Sequence, residues 1–401
     1  MPNEYLIRHG DIYDGRGDTP KQVDIHIRGG AIAEIGPDLA VPGALVIDGS
    51  GMLITPGLID LHVHVFTGMG IYSIAPEDAG LRTGVTTLLD TGSAGSFGME
   101  TFYRLVLTQG PEDVFALVNI SQLGVQGRPT VKPCVGELDD VRYAHTPSAV
   151  ASVEQFRDRV IGTKVRLTAT LAADNVENER AGLRSAVAAA EETGVPCMVH
   201  HSLSNISVGE VMETLRPGDI YTHCFHPHAD NAFQLDGGAG VDAYRGARDR
   251  GIFIDVGHGV GSFGWESAER ACLEHGFWPD TISTDLHQFN LHGPVFDLPT
   301  TMSKFLYLGM PLGRIIQAVT SSAARAMGLA DRFGVLEAGR QADVTLLRRV
   351  DGEFDLVDVE GAIRKANQRL LPVAVFKNGV YRPCQNQLAR DIVKSVPSVR
   401  T

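Results

Sequence analysis

Short apolar runs rich in β-branched residues alternate with helix-like segments between residues 56 and 334. This alternation is expected of repeated β-α units around a parallel sheet. Eight runs predict strands: Leu58 to Val65, Val85 to Thr91, Val114 to Ser121, Thr163 to Thr170, Pro196 to His201, Ile220 to Phe225, Ile252 to Gly257, and Thr281 to Leu286. Eight strands close a (β/α)8 TIM barrel. Helices are predicted at Ala181 to Thr193 and Pro311 to Met327.

Both ends of the chain carry a different pattern, in which short β-like runs are separated by Gly, Asp and Pro turns. Because sheet edges need partners, we predict that the two terminal segments pair into one small composite β-sandwich domain. The predicted α/β organisation is therefore a β-sandwich from residues 1–55 plus 335–385, a barrel over 56–334, and a C-terminal tail over 386–401.

Composition excludes several classes of protein. The chain has 48 acidic and 35 basic residues, and its net charge of −13 argues against binding to nucleic acid or to an anionic membrane surface. No apolar run approaches the roughly 18 residues that a membrane span needs. The N-terminus does not resemble a signal peptide, and the five scattered cysteines suit free thiols. A cytoplasmic protein is expected.

Candidate metal ligands begin with His62 and His64 in the first predicted strand. Side chains two apart on a strand share a face, so the two imidazoles project together and could bind one metal ion. Taken alone, the pair could equally be two ordinary strand histidines. Other polar residues fall at the ends of later strands or, for Lys164, within one, where functional groups of such barrels lie; they are Lys164, His200, His201, His223 and Asp285.

In this order, the His-x-His pair, the strand 4 lysine, one histidine on each of strands 5 and 6, and the strand 8 aspartate resemble the metal-dependent amidohydrolase superfamily. Within it, Met198-Val199-His200, Thr222-His223-Cys224 and Ser283-Thr284-Asp285 are most similar to the dihydroorotase-like deacetylase branch. The resemblance covers essentially the whole chain. It implies a hydrolase that removes a small acyl group from an N-acyl amino acid or an O-acyl hydroxy acid through a metal-bridging hydroxide.

The resemblance also implies two divalent metal ions, and imidazole and carboxylate ligands without thiolates favour Zn²⁺. One ion would take His62, His64 and Asp285, and the other His200 and His223. Lys164, carboxylated on its side-chain nitrogen, would bridge them, since an unmodified ammonium would place a cation beside the metals. Asp285 is the expected general base and acid. His201 must face away from His200 on a regular strand.

The implied small-molecule substrate bears a carboxylate, which needs a cationic anchor. Arg128 follows strand 3 and is the first candidate, with Arg166 in strand 4 as a weaker one. His258 and His287 follow strands 7 and 8 and are candidates for substrate contact. The remaining polar candidates are loop histidines His226 and His228, expected in solvent, and Asn119, Gln122 and Asn290. A homo-oligomer is also expected.

Three other functions remain open. A cyclic-amide hydrolase of the dihydroorotase or hydantoinase type would use the same metal site with a differently shaped pocket. A non-catalytic relative could use the barrel as an oligomeric scaffold, although such relatives usually lack ligands. A single-metal deaminase is disfavoured because Lys164 indicates a two-metal arrangement.

Overall fold

The computed structural model describes residues 4–125, 135–234 and 239–385. Its strands, in chain order, are β1 Glu4–Arg8, β2 Asp11–Ile12, β3 Asp24–Arg28, β4 Ala31–Gly36, β5 Leu45–Asp48, β6 Leu53–Pro56, β7 Leu58–Val63, β8 Val85–Gly95, β9 Asp113–Asn119, β10 Val160–Leu167, β11 Cys197–His201, β12 Ile220–Thr222, β13 Phe253–Ile254, β14 Val344–Val357, β15 Ile363–Lys377 and β16 Val380–Pro383. They form three sheets, of which the central one positions the candidate site.

The central sheet contains seven strands in the order β13-β12-β11-β10-β9-β8-β7, and each neighbouring pair is parallel. The predicted eighth strand is not a regular strand. Instead, Thr281 forms an isolated parallel bridge to Asp255, and Leu286 forms another to Val63. The segment between Thr281 and Leu286 therefore contacts both edges of the sheet, which brings Asp285 beside the end of β7.

The strands of this sheet are buried on both faces, which explains why their sequences are continuous apolar runs. Every residue of β7 and β8 is buried. Apolar side chains of β7 pack in two clusters, with Leu58 and Val63 in the largest core and Ile59 and Leu61 in a smaller one. Polar side chains on the same strands therefore need partners inside the protein.

Most of the helices come between the central strands along the chain. They are α1 Pro76–Ala79, α2 Ser96–Phe102, α3 Thr146–Gln155, α4 Val176–Thr193, α5 Val208–Thr214, α6 Ala239–Asp249, α7 Trp265–Glu269, α8 Leu298–Tyr307, α9 Leu312–Ala318 and α10 Ser321–Ala326. Single 3-10 turns occur at Leu81–Thr83, Val141–Tyr143 and Ala169–Leu171, and π-helical turns at Tyr103–Leu107 and Arg270–Glu274. Within the described residues, none of the helices combines the length and the apolar character required to cross a membrane.

The prediction of a single helix from Pro311 to Met327 is wrong, because the structure has two helices there, α9 and α10. The break coincides with hydrogen bonds to the barrel. The carbonyls of Ala318 and Val319 accept from the backbone N–H groups of Ile282 and Ile59. Thr320, between the two helices, has φ −136° and ψ −92°, which lie outside the helical region, so one helix cannot continue through it. The predicted helix at Ala181 to Thr193 begins earlier, at Val176.

The terminal strands form the two other sheets. Strands β4, β3, β1 and β5 make one, and β16, β15, β14, β6 and β2 make the other. In the second sheet, β14 pairs antiparallel with β6, with Leu346 opposite Ile54. Apolar residues from both ends of the chain, including Ile25 and Phe376, share one core cluster. The segments before and after the central sheet therefore pair through β6 and β14 and share one core cluster.

Candidate active site

A cavity of about 210 Å³ opens at the carboxyl ends of the central strands. Parallel-sheet proteins of this kind place their ligands at that end. The cavity is lined by His62, His64, Tyr72, Lys164, Arg166, Thr168, His200, Ser202, Leu203, His223, His228, Val260, Gly261, Ser262, Asp285 and His287. All six residues predicted as metal ligands are therefore found in one cavity.

His62 lies at the end of β7 and His64 directly after it, and both side chains project from the same face. Their Nε2 atoms lie 3.5 and 3.2 Å from Oδ1 of Asp285. Both rings are buried, at 1% and 7% exposure. A carboxylate oxygen thus faces two imidazole nitrogens at the end of the first strand, as the spacing of two residues predicts.

The other ring nitrogen of each histidine is held by a neighbouring group. His62 Nδ1 lies 3.1 Å from the Thr222 hydroxyl, and His64 Nδ1 lies 2.8 Å from the Ser93 hydroxyl. His223 Nδ1 lies 2.6 Å from the carbonyl oxygen of Gly257. Contacts of this kind fix the orientation of a metal-binding imidazole. They leave Nε2 of all three rings for the cavity.

Asp255 supports this arrangement from below the cavity. Its buried carboxylate accepts hydrogen bonds from the hydroxyls of Thr222, Thr281 and Ser283, at 2.7 Å each. Because Thr222 also contacts His62, the carboxylate helps to fix that ring through one intervening hydroxyl. Burial raises the pKa of Asp255, and its hydroxyl donors oppose that rise.

His223 and Asp285 adopt backbone conformations that are uncommon for residues other than glycine. Their φ angles are 72° and 50°. Such strain costs on the order of 1–3 kcal/mol and is concentrated at functional sites. A Cβ at Gly259 would lie 2.6 Å from Asp285 Oδ2, so glycine is needed for this close approach. The strained backbone directs both side chains into the cavity.

Lys164 is 1% exposed and lines the cavity. Its stem passes close to Gly92, where a Cβ would stand 2.8 Å from Lys164 Cγ. Burial lowers the pKa of the Lys164 amine to about 7, and nearby Asp285 opposes that change. The Lys164 amine therefore loses its proton readily near neutral pH.

The structure separates His200 from its neighbour His201. His200 lines the cavity with its ring centroid 4.3 Å from that of His223, and its Nε2 lies 3.3 Å from the Thr168 hydroxyl. His201 points away from the cavity, where its nitrogens contact the Tyr221 hydroxyl and the Ile206 carbonyl. Strand alternation predicts this division.

The donor set of the cavity fits divalent metal ions. Ligand atoms of His62, His223 and Asp285 all lie within 4.8 Å of one another. Among the described residues, His223 Nε2 and Asp285 Oδ1 are buried without a hydrogen bond of acceptable geometry. Burial lowers the pKa of His62 and His200 well below the usual value and that of His223 to about 4, which keeps their lone pairs available. Buried, unpaired donor atoms of this type are what a metal site requires.

The predicted substrate contacts fall in different places. His287 lines the cavity, whereas His258 is fully buried, stacks on Phe263 and contacts the buried amine of Lys304. His258 is not among the residues that line the cavity. Arg128 lies outside the described residues, as does the predicted tail over 386–401.

Arg166 is the weaker of the two arginines predicted to anchor a substrate carboxylate. It lines the cavity beside Lys164, because residues two apart on a strand share a face. Its Nη1 donates to Glu137 Oε1 at 2.7 Å, and its guanidinium carbon lies 5.8 Å from the centre of the Tyr72 ring. Asn119 donates to the other Glu137 oxygen at 2.8 Å. The period-two spacing from Lys164 was the available signal, whereas nothing local marked Tyr72 or Glu137.

The family model described as "Amidohydrolase family" matches residues 53–381. The chain belongs to the amidohydrolase family. A deacetylase from Agrobacterium fabrum is 34% identical over 361 residues, covering 89% of this chain and 86% of the relative. Crystal structures of an adenine deaminase and of a dihydroorotase are each 30% identical with a TM-score of 0.84, and cover 94% and 95% of this chain and 99% of theirs.

Membership of the amidohydrolase family confirms the predicted family and the predicted class of enzyme, a hydrolase that acts on amide bonds. The predicted α/β architecture is confirmed at the level of the central parallel sheet and its structural relatives. The cavity that brings the six predicted side chains together is the candidate active site.

Proposed function

We propose that this amidohydrolase is a binuclear metal-dependent deacetylase that cleaves a small acyl group from an N-acyl amino acid or an O-acyl hydroxy acid. The observation that carries the proposal is the convergence of two imidazole nitrogens on Asp285 Oδ1 beside a buried lysine. The deacetylase name of the Agrobacterium fabrum relative supports the choice of reaction.

In this proposal, His62, His64 and Asp285 hold one ion, and His200 and His223 hold the second. Zn²⁺ suits this set of imidazole and carboxylate ligands. Bound ions of this type polarise a substrate carbonyl and lower the pKa of water toward neutrality. Lys164 joins the two positions as a carbamate, formed when its uncharged Nζ adds CO₂ and loses a proton. The Lys164 side chain is buried beside Gly92. A buried ammonium there would repel two metal cations, whereas an anionic carbamate would attract them, and this charge argument supports the modification.

Asp285 moves the proton in the proposed reaction. Its carboxylate accepts a proton from the attacking water and delivers it to the leaving nitrogen or oxygen. Burial alone would raise the pKa of Asp285, but His64 and the other neighbouring imidazoles hold it below its usual range. The carboxylate is therefore anionic at neutral pH, as a proton acceptor must be.

Arg166 is the proposed anchor for the substrate carboxylate. A guanidinium has five N–H donors, so the bond to Glu137 leaves donors for a second carboxylate. Tyr72 and Glu137 restrain the side chain on the cavity wall, which lowers the entropy lost on binding. Exposed Leu203 and Val260 line the same cavity and suit an apolar group on the substrate.

Replacing Arg166 by methionine is expected to raise KM for a carboxylate substrate by about 10- to 150-fold, because hydrogen bonds to charged groups contribute about 1.5–3 kcal/mol. The turnover number should change much less. The measurement is steady-state kinetics with an N-acetyl amino acid and with its neutral amide, together with metal content. An equal rise of KM for both compounds would remove Arg166 from this role.

The alternative reactions are separated by a substrate panel. N-acetyl amino acids and O-acetyl hydroxy acids of both hands, cyclic ureides and adenine are compared on the zinc-loaded enzyme. We expect turnover of the acetylated acids. Activity confined to the ureides would establish the cyclic-amide alternative, and activity confined to adenine would establish a deaminase.

Four further predictions accompany this proposal. The Thr281 to Leu286 segment completes an eight-stranded barrel over residues 56–334, and the terminal sheets form a composite β-sandwich from residues 1–55 and 335–385. The bridges from Thr281 and Leu286 and the pairing of β14 with β6 support this division. A homo-oligomeric state and a cytoplasmic location stay predictions from the sequence.

A further inference from the structure

A second cluster of histidine and aspartate side chains lies outside the proposed catalytic centre. Within the described ranges, two groups bring nitrogen and carboxylate ligand atoms within 4.8 Å of one another. One contains His62, His223 and Asp285, and the other contains His201, His226 and Asp230. The proposed reaction uses no residue of the second group.

The second cluster lies behind the wall of the catalytic cavity. His201 is on the face of β11 opposite His200, and His226 follows β12 three residues after His223. The ring of His226 lies 5.4 Å from that of His228, which lines the cavity. The cluster therefore joins β11 to the segment that carries His228.

His226 is the least satisfied side chain of this cluster. The sequence predicts a solvent-exposed loop histidine, but His226 is 0% exposed. Neither of its ring nitrogens makes a hydrogen bond within the described part of the chain, and the same is true of Asp230 Oδ1. His226 Nδ1 and Asp230 Oδ1 lie 3.8 Å apart. Buried polar atoms left in this way indicate a missing partner.

His201 has the hydrogen bonds of a metal-binding histidine. Its Nε2 lies 2.8 Å from the carbonyl of Ile206, and because a carbonyl only accepts, Nε2 carries the ring proton. Nδ1 therefore carries the ring lone pair, and the Tyr221 hydroxyl donates to it at 2.8 Å, so a metal ion bound at Nδ1 would replace that hydroxyl. An imidazole that donates one N–H to a backbone carbonyl presents its other nitrogen to a metal in many sites.

Carboxylates give the cluster its negative charge. Ser204 links two of them, since its backbone N–H donates to Asp230 Oδ2 at 3.0 Å and its hydroxyl donates to Glu179 Oε1 at 2.7 Å. Glu179 is fully buried and also accepts from the backbone of Asn205. Two carboxylates next to two imidazoles favour a divalent cation over a neutral occupant.

We infer that His201, His226 and Asp230 bind a further divalent ion of the zinc type, separate from the catalytic centre. Ligand atoms of a tetrahedral zinc ion with bonds of about 2.0–2.1 Å stand about 3.4 Å apart. The 3.8 Å separation of His226 Nδ1 from Asp230 Oδ1 is close to that value. The ion fixes the segment after β12 against β11 and so steadies the cavity wall at His228.

The first test is the zinc content of the full-length protein after saturation and removal of loosely bound ions. His226→Ala and Asp230→Asn should each contain one equivalent less than the wild type. His145→Ala, which changes an exposed histidine, is the matched control and should retain the wild-type content. Equal content in wild type, His226→Ala and Asp230→Asn would overturn the inference.

The second test uses the unmodified protein, so it does not depend on the folding of variants. Crystals soaked in Zn²⁺ are measured at the zinc absorption edge. An anomalous peak between His226 and Asp230 would support the site, and peaks confined to the catalytic cavity would overturn it. Since neither test measures acetate release, a failed deacetylase proposal would leave both results interpretable.

Discussion

Replacement of Asp285 by asparagine is expected to lower turnover by about 10²–10⁴-fold or more, because positioned acid–base groups contribute factors of that size. The amide lacks the anionic oxygen that now lies 3.2 Å from His64 Nε2 and 3.5 Å from His62 Nε2. It cannot accept the proton from the attacking water. The measurement is kcat for acetate release by the zinc-loaded variant.

Asp280→Asn is the matched control for this change. Asp280 lies at the start of the same segment, and its carboxylate pairs with Arg248 away from the catalytic cavity. The control variant should keep its turnover, whatever small stability it loses. Circular dichroism should show that Asp285→Asn is folded. Near-normal turnover by a folded Asp285→Asn would exclude the carboxylate from proton transfer.

Lys164→Ala is expected to lose both metal and activity. The side chain is 1% exposed, and the proposed carbamate supplies an anion between the two ion positions. Removing it leaves space where a small carboxylic acid can place its own oxygens. Added acetate or propionate should therefore restore part of the metal content and part of the activity. Metal analysis and acetate-free assays with propionate measure the two effects.

Lys304→Ala provides the comparison for this chemical rescue. Lys304 is also a fully buried lysine, but its amine contacts His258 and the carbonyl of Val357, and it does not line the cavity. Its variant should retain metal and should show no rescue by carboxylic acids. A Lys164→Ala protein with unchanged metal content would argue against the bridging carbamate.

The sequence predicts much of the site because the period of two along a strand determines which side chains share a face. Spacing of two residues places His62 with His64, and adjacency separates His200 from His201, without any knowledge of tertiary structure. The same periodicity places Arg166 beside Lys164. Its importance could not be judged from sequence, however, because the restraint by Glu137 comes from a residue 29 positions away.

Features that depend on long-range hydrogen bonds were not predictable. The break between α9 and α10 occurs where the carbonyls of Ala318 and Val319 accept from Ile282 and Ile59, far away in the sequence. The burial of His226 depends on how the segment after β12 packs against β11, whereas its proline-containing sequence indicates an exposed loop. Local propensity gives no signal for either event.

Zinc titration of the metal-free enzyme, with acetate release from an N-acetyl amino acid or an O-acetyl hydroxy acid followed throughout, shows whether metal ions at this site drive the hydrolysis. We expect essentially no acetate release without metal, and a rise in rate that stops when the centre is filled, at His62, His64, Lys164, His200, His223 and Asp285. Wild-type acetate release by metal-free protein would contradict this expectation. So would a fully loaded enzyme that releases acetate from none of these compounds.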